Sequence, residues 1–134
     1  MKANGRKDSF KTKEEAISRL RSYIPLGNAE LNLRDQIIAM DKYNSTDEER
    51  KSDPELEDMR GRMRICNARR RSIERSLEAL DTEERKVLDG FFIHPAKEGS
   101  AEDLMEELGM EKTQVYRLRT RALKKFAQNM FGEI

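Results

Sequence analysis

The sequence predicts an all-α protein, and three observations lead there. Apolar residues recur three and four positions apart in each segment that carries them. Residues able to cap a helix stand just ahead of several of these segments. Breakers are scarce, with three Pro and seven Gly in 134 residues and no Trp, which argues against a loop-rich β fold. Apolar residues make up 36% of the chain and charged residues 40%, so its core must be thin. The length suits one domain, or a small domain with an appendage.

Residues 1–12 hold Phe10 as their only large apolar side chain and read as a loose, flexible end. Residues 13–80 read as a helical region for packing or oligomerisation. Thr12 and Glu15 fit a capping box for a first helix carrying Ile17, Leu20 and Ile24. Pro25 is expected to end or kink that helix. A second helix follows over 28–43, with Leu33, Ile37 and Met40 on one face, so the two form an N-terminal helical hairpin. Residues 44–53 are polar throughout and read as a linker.

Asp53 and Pro54 open a long helix in the arrangement of an N-cap followed by proline at the first helical position. Its stripe of Leu56, Met59, Met63, Cys66, Arg70, Ile73, Leu77 and Leu80 alternates three- and four-residue steps, a coiled-coil-like heptad seam. A narrow stripe on a long helix needs a partner, either the N-terminal helices or a second copy of the chain. Arg70 is its one polar member, placed to snorkel or to specify register. Met59 and Met63 read as core filler and Cys66 as a small buried apolar residue.

Residues 81–134 read as a helix-turn-helix domain. Thr82 is placed to cap a helix over 83–92 that buries Val87, Leu88, Phe91 and Phe92, and a loop over 94–99 follows. Ser100 with Asp103 nearly forms a capping box for a short helix with Ala101, Leu104 and Leu108 inside. Gly109 stands where a tight turn wants positive φ. Glu111 opens the last helix, whose inner face is Val115, Leu118, Ala122, Leu123 and Phe126. Two short helices with such a turn are the pattern that lays its second helix in the major groove of duplex DNA.

The charge distribution fits that use. Net charge is only +1, yet residues 112–131 hold Lys112, Arg117, Arg119, Arg121, Lys124 and Lys125 and no acid. The preceding segment carries Glu98, Glu102, Asp103, Glu106 and Glu107. Lys112, Thr113, Gln114, Tyr116 and Arg117 near the helix start have the chemistry for base edges and phosphates, and the four basic residues beyond them suit phosphate. These nine are the candidate DNA-binding residues.

The run SAEDLMEELGMEKTQVYRLRTRALKKFA, residues 100–127, resembles region four of sigma-70-type factors, and LDTEERKVLDGFF, residues 80–92, resembles the first element of that region. The matching features are the Leu108-Gly109 turn, Val115 five residues beyond Met110, and the tail Arg121-Ala122-Leu123-Lys124-Lys125. The resemblance covers about a third of the chain. It implies DNA contact by Lys112, Thr113, Tyr116 and Arg117. Tyr116 and Arg117 stand where sigma factors usually carry Arg and Gln, so the resemblance does not transfer a target sequence. The rest of the layout resembles phage and prophage late-gene regulators of the RinA and ArpU type, which implies a promoter-binding transcription regulator of a bacterial cell.

Other classes draw less support. One Cys and one His exclude an internal disulfide and a two-histidine metal site. No acid–base pair, nucleophile or Gly-rich phosphate loop is legible, and His94 before Pro95 reads as an exposed loop residue, so neither an enzyme nor a cofactor is expected. No apolar run reaches the roughly 20 residues of a membrane span, and residues 1–13 lack the apolar stretch of a signal peptide, so a cytoplasmic location without membrane contact is expected. Arg60, Arg62, Arg64, Arg69, Arg70 and Arg71 form a second basic cluster that reads as a solvated flank pairing with the acids of 47–58. The expected partner is double-stranded DNA, with RNA polymerase and a homodimer as further partners. A sigma-like polymerase-binding factor and a helical adaptor without DNA affinity are the alternatives.

Overall fold

The computed structural model describes residues 2–43, 53–96 and 99–132, with side chains from Thr12 onward. Among the described residues every regular element is helical. These are α1 (Lys2–Tyr43), α2 (Pro54–Glu78), α3 (Thr82–Leu88) with a π-helical turn (Asp89–Ile93) after it, α4 (Ser100–Leu108) and α5 (Lys112–Phe131). The fold is all-α, as the sequence predicts. No helix among the described residues is long and apolar enough to cross a membrane. The chain divides into two compact units, a hairpin unit of Ile24–Arg71 and a terminal unit of Met1–Tyr23 with Ser72–Ile134.

The N-terminal third differs from its sequence reading. Pro25 lies inside α1 instead of ending it, so residues 2–43 form one helix and the expected hairpin over 12–43 is absent. Proline removes one backbone hydrogen bond and crowds the carbonyl four residues back, at about 3 kcal/mol. Burial on both sides of it offsets that cost: Ala16 and Leu20 are inaccessible in the terminal unit, and Ile37 is buried in the hairpin unit. The helix also begins at Lys2, where the sequence reading expects a loose end through residue 12. Once a helix is nucleated, each added residue gains a hydrogen bond, so extension is cheap compared with initiation.

The hairpin unit instead pairs α1 with α2. Ile37, Leu56 and Met59 form its core, with Leu33, Met40 and Met63 packed around them. Asp53 caps α2 as expected, its Oδ1 accepting from the backbone of Glu55 at 3.0 Å and Leu56 at 3.2 Å. The linker expected over 44–53 lies outside the described residues up to position 52. Polar pairs fix the antiparallel register. Arg60 meets Asp41 at 3.3 Å. Arg70 Nε donates to Glu30 Oε2 at 2.7 Å, and Asn67 Nδ2 donates to Glu30 Oε1 at 2.6 Å. The upper seam of Leu56, Met59 and Met63 is therefore occupied by the chain's own α1, Cys66 is half-buried, and the seam arginine is ion-paired. Arg62 pairs with Asp58 along α2 at 2.9 Å.

In the terminal unit the lower seam continues, with Ile73 and Leu80 buried and Leu77 half-buried. Asn129 Nδ2 donates to the Ser76 carbonyl at 3.1 Å, tying the end of α5 to α2. Asp81, and not Thr82, caps α3: its carboxylate accepts from the Glu84 backbone at 2.8 Å while Glu84 Oε1 accepts from the Asp81 backbone at 3.1 Å. The helix expected over 83–92 is α-helical only to Leu88 and then widens into the π turn. Gly90 in that turn lies against α4, where a Cβ would come within 3.0 Å of Leu104 Cδ1. Ser100 does not cap α4 with its side chain. Its hydroxyl accepts from the Ala96 backbone at 3.1 Å, and Gly99, at φ 85°, is the capping residue.

The Glu30 carboxyl is held below its ordinary value of 4.5, first by the hydrogen bond from Arg70 and then by that from Asn67. A depressed carboxyl stabilises the fold above its unfolded pKa, and that contribution is lost as pH falls through the lowered folded value. Wild type is therefore expected to be more stable than Glu30→Gln at neutral pH. The gap should shrink steadily once pH drops below about 4.5. Urea denaturation of both proteins across the acid range checks this, and a gap independent of pH contradicts it.

Candidate nucleic-acid interface

The terminal unit packs α5 against both α3 and α4. Helix α4 ends at Leu108 and is capped by Gly109, whose φ of 64° is the left-handed conformation that the sequence anticipates. Its N–H bonds the Met105 carbonyl, and the Met110 N–H reaches that same carbonyl at 3.1 Å. Glu111 then caps α5. Its carboxylate accepts from the Gln114 backbone, and Gln114 Oε1 accepts from the Glu111 backbone at 3.0 Å. A carboxylate there also complements the positive end of the helix dipole.

Two stripes of α5 follow from its period. Val115, Leu118, Ala122, Leu123, Phe126 and Ala127 are buried. On the opposite side Thr113, Arg117, Thr120 and Lys124 stand at i, i+4, i+7 and i+11, all exposed. With Tyr116 and Arg121 they line one shallow concavity open to solvent. The Thr120 hydroxyl donates to the Tyr116 carbonyl at 3.1 Å, which keeps it within the helix. Lys112 is exposed at the helix start, 3.9 Å from Glu102 of α4.

The nine candidate residues divide into groups that the sequence did not separate. Thr113, Arg117 and Lys124 are exposed with no ion pair among the described residues. Gln114 serves the cap through its Oε1. Arg119 is turned aside: its guanidinium lies 4.7 Å from the Phe91 ring centre and 4.6 Å from that of Tyr116. The two rings are 5.8 Å apart, so Phe91, Arg119 and Tyr116 form one cluster. Each cation–ring contact is worth about 0.5–2 kcal/mol, enough to hold Tyr116 in place at the edge of the exposed stripe. Arg121 and Lys125 reach a different group, the Glu84 carboxylate of α3, at 3.6 Å and 3.0 Å.

Glu84 is the residue that sequence reasoning missed, and Phe91, read there as buried core, is half-buried beside Arg119. A signal for Glu84 existed: with Leu80, Val87 and Leu88 it keeps the helical spacing of the buried face, and an acid there demands a cation from elsewhere. A second hollow, among α3, the π turn and α4, carries charges of both signs, including Lys86, Asp89, Asp103 and Glu107. His94 Nδ1 lies 2.8 Å from Asp89 Oδ1 at its rim. Among the described residues no cluster of ligating side chains could hold a metal ion. The surface of α5 offers donors at defined spacing: guanidinium and ammonium groups for phosphate or guanine acceptors, with a hydroxyl and a phenol beside them.

The turn sets the aim of α5, so its backbone is a point of test. Gly109→Ala puts a Cβ on a left-handed residue and is expected to cost about 1–2 kcal/mol, with Gly109→Asn costing less. Nothing lies within 4 Å of that Cβ position, so the loss would report conformation alone. Chemical denaturation of both variants measures it. In comparisons with known proteins, no family model, no curated protein and no solved structure matches this chain.

Proposed function

We propose that this chain binds double-stranded DNA through α5 and acts as a transcription regulator of the phage or prophage late-gene kind. The observation that carries the reading is the exposed stripe of Thr113, Arg117, Thr120 and Lys124. It runs opposite a fully used apolar face, on a helix that follows a tight glycine turn. α5 enters the major groove with its N-terminal half. Arg117 donates to guanine acceptors, Thr113 and Tyr116 meet a thymine methyl or a phosphate, and Lys124 meets the backbone farther along. The acids of α4 keep that helix from lying on the phosphates and so favour α5 as the approaching element.

The reading is tested by duplex affinity as a function of salt. A DNA reader weakens steeply as salt rises, whereas an adaptor shows no affinity for duplex. Arg117→Ala is expected to lower affinity for a selected site by about 1–3 kcal/mol and to relax preference at one base position. Lys124→Ala is expected to weaken binding to all sequences alike and to lower the salt slope by about one. Selection of target sites from random duplexes, followed by anisotropy titrations of the three proteins, measures both effects. Unchanged affinity in both variants moves the reading face elsewhere.

A further inference from the structure

We infer that Glu84 decides which cations of α5 are available to DNA, holding Arg121 and Lys125 on the protein and leaving Arg117 and Lys124 for the duplex. The inference rests on the DNA-binding reading and deepens it.

Glu84 is 1% exposed. One carboxylate oxygen is committed to the α3 capping box, accepting from the Asp81 backbone. The other is buried with no hydrogen bond, and its partners are the two cations of α5: Lys125 Nζ at 3.0 Å and Arg121 Nε at 3.6 Å. A buried carboxylate is tolerated only while its charge is compensated, so withdrawal of either cation leaves it under-compensated. The cost of leaving is not set by the cations, whose side chains are 50% and 61% exposed and could otherwise reach outward. It is set by the carboxylate they would abandon.

Arg121 and Lys125 stand one turn apart on the flank of the exposed stripe, next to Lys124. Sequence alone counts all three as equal phosphate binders. The buried acid makes them unequal. It removes two positive charges from the set that exchanges with counterions, and it places a negative charge under the flank of the reading helix. Both effects reduce sequence-independent attraction and leave a larger share of the affinity to base contacts. Glu84 is thus a positioning residue for recognition.

The test is the salt dependence of binding to a short labelled duplex of mixed sequence. It compares wild type, Lys124→Ala, Lys125→Ala, Glu84→Gln and the double variant Glu84→Gln with Lys125→Ala. Each phosphate contact contributes about 0.9 to the slope of log affinity against log salt. Lys124→Ala is expected to lose about one such step, and Lys125→Ala to leave the slope as it is. Glu84→Gln is expected to steepen the slope by about one to two steps and to raise low-salt affinity several-fold. Adding Lys125→Ala to it should take about one step back.

Equal slope losses for Lys124→Ala and Lys125→Ala overturn the inference, and that comparison does not require Glu84→Gln to fold. An unchanged slope in folded Glu84→Gln overturns it as well. Urea denaturation of wild type, Lys125→Ala, Glu84→Gln and the double variant supplies a readout without DNA, because Glu84→Gln and Lys125→Ala should be non-additive. Additive losses with duplex binding intact sink this inference alone. A wild-type chain with no duplex affinity sinks the DNA reading and this inference with it.

Discussion

The packing of α5 against α3 and α4 constrains the rest of the candidate site. Val115, Leu118, Ala122 and Phe126 take up one side of the helix completely. A fully buried Val, Leu or Phe contributes about 1.5–3 kcal/mol. The rotation of α5 about its own axis is thereby set, and Thr113, Arg117 and Lys124 on the opposite stripe face solvent. Gly109 sets where the helix starts, and the Glu111–Gln114 box closes its first turn. The position of Arg117 and Lys124 is therefore a consequence of where the apolar side chains had to go.

Within that frame, charge is distributed by burial. A count of cations on α5 treats them as a single patch. The structure separates them by neighbour: Arg119 against aromatic rings, Arg121 and Lys125 against a buried carboxylate, Arg117 and Lys124 in the open. The same logic runs through the hairpin unit, where Arg70 answers Glu30 and Arg60 answers Asp41. An arginine-rich helix there is in part a set of internal partners for acids on α1. These part-buried pairs specify the register of the hairpin.

The π turn after α3 shows how close packing and local winding are linked. Gly90 and Leu104 approach so nearly that any side chain at position 90 would press on α4. The wider turn also carries Phe91 to the Arg119–Tyr116 pair. A single irregular segment thus serves both the contact with α4 and the edge of the exposed stripe.

Much of this was legible in the residues, and what was legible was local. The helical class, the Asp53 cap, the turn at Gly109 and the two faces of α5 depend on spacing within a few residues, because capping, handedness and helical period are short-range. The tertiary structure decided the continuity of α1 through Pro25, the partner of the Leu56–Met63 seam, the commitment of Arg119 to rings and the tie of Arg121 and Lys125 to Glu84. Each of these is settled by a residue distant in sequence, or by burial that outweighs a local cost. The pattern of a single segment can demand a neighbour, as the acid on the buried face of α3 does, but does not say which residue supplies it.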